Sequence, residues 1–161
     1  MSQSYSIVAM VELKSHIEKF YGFFKNHVGD LVNLFPDLYQ SIHLVEGQYF
    51  SVGSVILFKY HLGADQVVSE KWLVRGVDDA KKCIIYEAVE GDMQKYYKVL
   101  RTKLEVVNRR SSKIGKGSFA KWTVEFEKAN ENVPSPDSHM EIFVKISKGI
   151  DAYLSKQLIK P

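Results

Sequence analysis

The stretch PSPDSHMEIFVKISKGIDAYLSK, residues 134–156, has the pattern of a long amphipathic helix. At 100° per residue, one stripe is mainly apolar and the opposite face is mainly polar. The stripe contains His139, Ile142, Phe143, Ile146, Ile150, Tyr153 and Leu154. The polar face contains Glu141, Lys145, Lys148, Asp151, Ala152, Ser155 and Lys156. Ser135 is the predicted N-cap and Pro136 the predicted first turn. Gly149 inside the helix indicates a close approach to another element.

Upstream of this helix, most of the chain alternates apolar and polar residues with a period of two, which is typical of half-buried strands. One more segment, about residues 66–77, alternates less regularly. The side chains predicted to share the inner face are Ile7, Ala9, Val11, Leu13, Ile56, Phe58, Tyr60, Ile84, Tyr86, Ala88, Leu100, Thr102, Leu104, Val106, Trp122, Val124 and Phe126. The outer positions are mainly charged, so we expect an antiparallel sheet covered on one face.

Residues 15–26 and 29–35 have the pattern of two short helices, and Pro36 ends the second. The predicted order is therefore one strand, two short helices, six strands and a long helix, in an α+β fold. A helix of roughly 22 residues is about 33 Å long and cannot fill a wide, curved seven-stranded sheet. We therefore expect an internal cavity of several hundred Å³, as in ligand pockets.

The chain has 161 residues, of which 45% are apolar and 25% charged. These values predict one domain, residues 1–161, with a substantial core. The first residues have neither a secretory-signal pattern nor a myristoylation pattern, and no apolar run is long enough to span a bilayer. Cys83, the one cysteine, cannot form an internal disulfide. We therefore expect a cytoplasmic protein without membrane insertion.

Four segments carry a family resemblance: LVEGQYFSVGSVILFKY (44–60), YEAVEGDMQKYYK (86–98), WTVEFEKANENVPSP (122–136) and ISKGIDAYL (146–154). In this order they resemble the plant major latex proteins, a branch of the birch-pollen-allergen and pathogenesis-related superfamily. The resemblance covers nearly the whole chain. It implies a helix-grip fold, in which a seven-stranded antiparallel sheet wraps around a long C-terminal helix and two short helices close one end.

The resemblance also implies a carrier or receptor that binds a small apolar or amphipathic molecule, such as a hormone, sterol or secondary metabolite, with a part in defence or stress response. Tyr49 and Phe50 would cover the entrance. The side chains implied to contact the ligand are Ile56, Phe58, Tyr60, Tyr86, Leu100, Thr102, Trp122, Phe126, His139, Ile142, Phe143 and Ile146.

Two other functions remain open at this stage. An isomerase or cyclase of plant specialised metabolism on the same fold would use His139, Tyr60 or Tyr86 as acid or base. A ligand-loaded receptor would dock to a partner protein through the loop around Tyr49 and the start of the last helix. His139 itself is either a packed core residue or a ligand contact, and an apolar setting should keep its ring neutral at pH 7.

The loop from Gly47 to Gly53 has three readings: a phosphate cradle, a hairpin turn or a gate. A phosphate cradle needs several inward N–H groups and a nearby lysine. Related pathogenesis-related proteins have a lysine after this loop, where the present chain has Ile56. The turn and gate readings are therefore favoured.

Residues 94–121 contain nine Lys or Arg and one acidic residue, a pattern that can bind nucleic acid. However, Arg101 and Lys103 point outward, where Glu87, Glu125 and Glu127 on neighbouring strands could pair with them. A solvated sheet face without nucleic acid is the favoured interpretation. His and Cys residues are scattered without metal-ligand spacing, so we predict neither metal nor cofactor.

Overall fold

The computed structural model describes residues 3–49, 51–63, 66–109 and 117–159. The elements are β1 (Ser4–Leu13), α1 (Ile17–Asn26), a 3-10 turn (Val28–Asp30), α2 (Leu31–Leu34), β2 (Tyr39–Glu46), β3 (Val55–His61), β4 (Val67–Asp78), β5 (Cys83–Gly91), a second 3-10 turn (Asp92–Lys95), β6 (Tyr97–Arg109), β7 (Gly117–Lys128) and α3 (Asp137–Ile159). Within these residues the seven strands form one antiparallel sheet in the order β1-β7-β6-β5-β4-β3-β2. The predicted helix-grip α+β fold is confirmed.

The predicted inner face is also confirmed. Alternate residues of β3, β5, β6 and β7 are buried at the predicted positions, and Leu104 and Val124 are completely inaccessible. Register shifts interrupt β2 near Leu44 and β4 between Lys71 and Trp72. Such bulges bend a strand and increase its twist. The bends let the sheet curve around α3.

Two strands were harder to find from the pattern. Six strands were predicted after the short helices, but β2 was not located. A register shift between Tyr39 and Ser41 places Tyr39 and Ile42, three residues apart, on the buried face and so breaks the alternation. The irregular segment near residue 66 is β4, whose inner face carries Glu70 between Val68 and Trp72. A carboxyl group at an inward position breaks the apolar alternation on which the prediction depended.

The two short helices close one end of the space beneath the sheet. Phe20 and Phe24 of α1 and Leu31 of α2 point into the core and are almost completely buried. Tyr21 and Lys25 of α1 hold the turn after β4, because both side chains donate to the Asp79 carboxylate, at 2.7 and 2.6 Å. Helix packing thus continues the apolar interior beyond the end of the sheet.

The start of α3 is one residue later than predicted. Pro136 accepts the first helical hydrogen bond from Met140 N–H, at 3.3 Å, so Pro136 rather than Ser135 occupies the cap position. The expected close approach at Gly149 is confirmed. A β-carbon there would lie 2.5 Å from the Phe35 ring.

Two positions on α3 correct the predicted helix faces. Asp151, predicted to be exposed, is buried, because its carboxylate accepts hydrogen bonds from Lys14 N–H, Ser15 N–H and Ser15 Oγ. Tyr153, predicted to be inward, is 41% exposed and borders a surface groove beside Phe23. At this end α3 packs against the β1–α1 connection, which shifts its buried face.

Candidate functional site

A cavity lies between the sheet, α3 and the two short helices. Strands β2 to β7 contribute side chains from one side, while α1, α2 and α3 contribute from the other. Its lining comprises Phe24, Val28, Leu31, Tyr39, Phe58, Tyr60, Trp72, Tyr86, Thr102, Trp122, His139, Ile142, Phe143 and Ile146. The space is mainly apolar, with a few polar atoms at defined points.

Nine side chains singled out in the sequence lie around this cavity. They are Phe58, Tyr60, Tyr86, Thr102, Trp122, His139, Ile142, Phe143 and Ile146. Ile56, Leu100 and Phe126 do not line it and belong to the packed core. Inward orientation was correct for these three residues. However, the inward orientation of a side chain does not show whether it lines the cavity or packs in the core beside it. Phe126, for example, packs against the Tyr97 ring.

Five lining residues were missed: Phe24, Val28, Leu31, Tyr39 and Trp72. Three of them lie on or beside the short helices, which were predicted only to close one end of the sheet. Tyr39 begins the unlocated strand β2, and Trp72 lies on the irregular strand β4. The aromatic pattern FYGFF in α1 was the available signal for a helix that faces the cavity.

The cavity volume is about 60 Å³, so the prediction of several hundred Å³ is wrong for this conformation. Aromatic rings occupy the expected space. The Trp122 and Phe143 rings stack with centroids 4.8 Å apart, and the Phe24 ring meets Trp122 edge-on at 5.3 Å. Trp122 Nε1–H also donates to Ser147 Oγ at 2.7 Å. These rings bridge the sheet, α1 and α3, and fill the hollow that one helix alone would leave.

Besides Trp122, the described lining residues Tyr60, Tyr86 and His139 have hydrogen-bond partners for their polar atoms. The Tyr60 hydroxyl and His139 Nε2 form a buried hydrogen bond of 2.9 Å. The Tyr86 hydroxyl donates to the Phe24 carbonyl at 3.3 Å. Thr102 Oγ1, by contrast, has no hydrogen-bond partner in the described part of the chain.

The electrostatics of the cavity favour neutral groups. Burial lowers the pKa of His139 from 6.5 to about 4, as the sequence analysis expected, so the ring is neutral at pH 7. Burial raises the pKa of the Tyr60 and Tyr86 hydroxyls above their usual 10. The site therefore offers hydrogen bonds without formal charge.

Glu70 lies close enough to influence Tyr60 but does not line the cavity. Its side chain is inaccessible, and Oε1 accepts from Met93 N–H at 2.8 Å. Oε2 has no partner among the described residues. Burial raises the pKa of Glu70 to about 7, although the Met93 N–H opposes this rise. Gly91 makes the arrangement possible, because a β-carbon there would lie 2.6 Å from Oε1.

A second, outer cleft of about 270 Å³ lies near the start of α3 and shares His139 with the inner cavity. Its remaining lining residues are Leu62, Gln66, Met93, Tyr96, Tyr97, Val133, Pro134, Ser135, Pro136 and Ser138. His139 therefore borders both spaces. Its hydrogen bond to Tyr60 lies at this boundary.

The loop between β2 and β3 has the geometry of a turn rather than a phosphate cradle. Ser51 N–H donates to Gln48 O, Gly53 N–H to Val74 O and Ser54 N–H to Ser51 O. These N–H groups are therefore committed to the protein itself. Tyr49 is 41% exposed and does not line the cavity, whereas Phe50 lies outside the described residues.

The basic stretch is partly paired, as predicted. Arg101 contacts Glu87 at 2.7 Å and Glu125 at 3.6 Å across neighbouring strands. Lys103 instead contacts Glu105 on its own strand, at 3.7 Å. Residues 110–116 of this stretch lie outside the described structure.

The described residues contain neither a cluster of three metal-ligating side chains nor a helix apolar and long enough to cross a membrane.

Comparison with known proteins gives a consistent result. The model of the pathogenesis-related protein Bet v 1 family matches residues 2–157. The chain is 34% identical over 145 residues to MLP-like protein 34 of Arabidopsis thaliana; the match covers 89% of the chain but 44% of that longer protein. The chain thus spans less than half the length of this relative.

Solved structures that share the fold include a major latex-like protein and a norcoclaurine synthase. Ginseng major latex-like protein 151 from Panax ginseng has a TM-score of 0.83 at 23% identity, covering 93% of this chain and 97% of that protein. A point mutant of norcoclaurine synthase from Thalictrum flavum has a TM-score of 0.78 at 12% identity, covering 98% of each chain. At these identities, the structural matches show a shared fold alone.

Proposed function

Because this chain belongs to the pathogenesis-related protein Bet v 1 family, we propose that it binds one small, mainly apolar molecule between the sheet and α3. The observation that carries this proposal is the internal cavity, whose apolar lining is interrupted by a few polar side chains. Sites for small molecules commonly combine apolar walls with a small number of placed polar groups. The ligand would contact the fourteen lining residues rather than Ile56, Leu100 or Phe126.

Binding in this cavity requires side chains to move. A volume of about 60 Å³ is well below the roughly 300–1,000 Å³ of pockets for drug-sized molecules. Phe143 is the natural ring to move, because it is only partly buried and stacks on Trp122 without a hydrogen bond of its own. Rotamer changes of this kind are common when a partner binds.

Binding without chemistry is favoured over an isomerase or cyclase activity. The His139 ring, with a pKa of about 4, is a weak base at neutral pH. The Tyr60 and Tyr86 hydroxyls, with pKa values above 10, are weak acids. General acid–base catalysis works best when the pKa lies near the operating pH. These three candidates are therefore better suited to hydrogen bonding than to proton transfer.

We further propose that the protein is a carrier or receptor in the plant cytosol, acting in defence or stress response. The relative reported above from Arabidopsis thaliana and the ginseng protein support a plant setting. Cys83 lacks a disulfide partner, which fits a reducing compartment. Once the ligand is bound, the exposed loop around Tyr49 would dock to a partner protein.

Native mass spectrometry of the protein purified from its own tissue tests the binding proposal. We expect one bound molecule per chain in the wild type. Ile146→Phe, which places a ring in the cavity, should remove that molecule, while Lys145→Ala on the exposed face of α3 should retain it. Circular dichroism checks that both variants fold. The proposal is wrong if the wild type carries no ligand and a library of neutral apolar molecules leaves its melting temperature unchanged.

A further inference from the structure

Thr102 occupies an unusual place in the sheet. It lies on β6 between Tyr86 of β5 and Val124 of β7, and its side chain faces the cavity. The residue is 1% exposed. Its hydroxyl has no partner in the described parts of the chain, although a buried hydroxyl normally finds one.

The neighbouring groups cannot easily supply the missing hydrogen bond. The β6 backbone pairs with β5 on one side and β7 on the other, so its polar groups are committed to the two ladders. Tyr60 and His139 are paired with each other, and Tyr86 donates to the Phe24 carbonyl. Valine has nearly the shape of threonine and would avoid the cost of a buried, unpaired hydroxyl.

We propose that Thr102 is the polar anchor of the cavity, and that its ligand is an uncharged molecule, apolar except for one hydroxyl or carbonyl group that hydrogen-bonds Thr102 Oγ1. This inference rests on the proposed binding function and narrows its ligand class. A hydroxyl both donates and accepts, so Thr102 can pair with either an alcohol or a ketone.

The surroundings exclude a charged ligand. None of the described residues lining the cavity is Asp, Glu, Lys or Arg. Burial lowers the pKa of His139 to about 4, so its ring provides no positive charge near pH 7. Glu70, the nearby buried carboxyl, does not line the space. A charge transferred into this cavity would lose its hydration without gaining a partner of opposite charge.

Three single-ring probes test the anchor: toluene, phenol and benzoate. Each is titrated by NMR into the wild type, Thr102→Val and Thr102→Ser. We expect Thr102→Val to lower the phenol-to-toluene affinity ratio about tenfold, which is the loss of one hydrogen bond. Thr102→Ser keeps the hydroxyl and should preserve the ratio, and benzoate should bind none of the three proteins. An unchanged ratio in Thr102→Val, or benzoate binding inside the cavity, would overturn the inference while leaving the binding function intact.

The same titrations are repeated in a Phe143→Ala background, where removal of the stacked ring enlarges the cavity. A cavity of about 150 Å³ lined by apolar residues can hold benzene. If no probe binds in either background, the proposed binding function fails, and the inference fails with it.

An independent measurement uses the protein without ligand. Removal of an unpaired buried hydroxyl should raise the melting temperature of Thr102→Val by about 2 to 4 °C relative to the wild type. A lower melting temperature would show that the hydroxyl has a structural partner, and would contradict its assignment as a ligand anchor.

Discussion

The ionisation of Glu70 and that of His139 should change the free energy of unfolding with pH in opposite directions. The two effects should nearly cancel in the wild type. The pKa of Glu70 is raised by burial from 4.5 to about 7, so the folded state holds this proton more tightly than the unfolded chain. Its stabilising contribution is full below pH 4.5 and is lost as the pH rises to 7. The pKa of His139 is lowered by burial from 6.5 to about 4. Its contribution is full above pH 6.5 and is lost as the pH falls to 4.

The magnitudes follow from the two pKa changes. One pKa unit corresponds to about 1.4 kcal/mol. Between pH 4.5 and 6.5, each group should therefore change the free energy of unfolding by about 2 kcal/mol, with opposite signs. The two contributions nearly cancel in the wild type over this range.

Urea unfolding at pH 4.5, 5.5 and 6.5 measures these contributions in the wild type, Glu70→Gln and His139→Gln. In Glu70→Gln the His139 contribution remains, so this variant should lose about 2 kcal/mol more than the wild type as the pH falls from 6.5 to 4.5. His139→Gln should gain about 2 kcal/mol relative to the wild type over the same change.

All other residues are identical in the three proteins, so differences between the proteins isolate the two buried groups. The Gln replacements keep a polar side chain at each site, including beside Tyr60 and Met93. Parallel pH profiles for the three proteins would refute the reasoning, because they would show that neither pKa differs between the folded and unfolded states.

Three further predictions concern helix packing and the basic face. Gly149→Ala should lower the free energy of unfolding by about 1 to 3 kcal/mol in a urea titration, because its β-carbon meets Phe35. Gly22→Ala, where the added carbon meets nothing within 4 Å, should instead stabilise α1 by about 1 kcal/mol; equal effects would contradict the contact. Asp151→Ala should cost about 3 kcal/mol, because Ser15 loses its carboxylate partner; a neutral result would show that the link is unimportant. Single-stranded RNA should bind no tighter than ~10⁻⁶ M in a filter assay at physiological salt, and sequence-selective nanomolar binding would contradict a solvated face.

The sheet was predictable because a period of two assigns every residue of a strand to one of two faces. The inward positions of Tyr60, Tyr86, Thr102 and Trp122 followed from that rule alone. Strand β4 was less clear because the rule assumes apolar inward residues, and Glu70 breaks it.

The cavity volume was not predictable in the same way. It depends on whether the rings of Phe24, Trp122 and Phe143 meet across the hollow, and alternation does not determine rotamers or the spacing between a helix and a sheet. Asp151 was misplaced for a related reason. A helical wheel shows which residues share a face but not which element packs on that face at each end.

The stacked rings that fill the cavity also affect how ligand affinity should be interpreted. If binding requires Phe143 to leave Trp122, only the fraction of molecules in an open conformer can accept a ligand. The apparent Kd equals the intrinsic Kd divided by that fraction, so an open population of about 1% weakens the measured affinity about a hundredfold. A modest affinity could therefore coexist with close complementarity in the open conformer. Substitutions that favour the open conformer would tighten binding without adding a contact to the ligand.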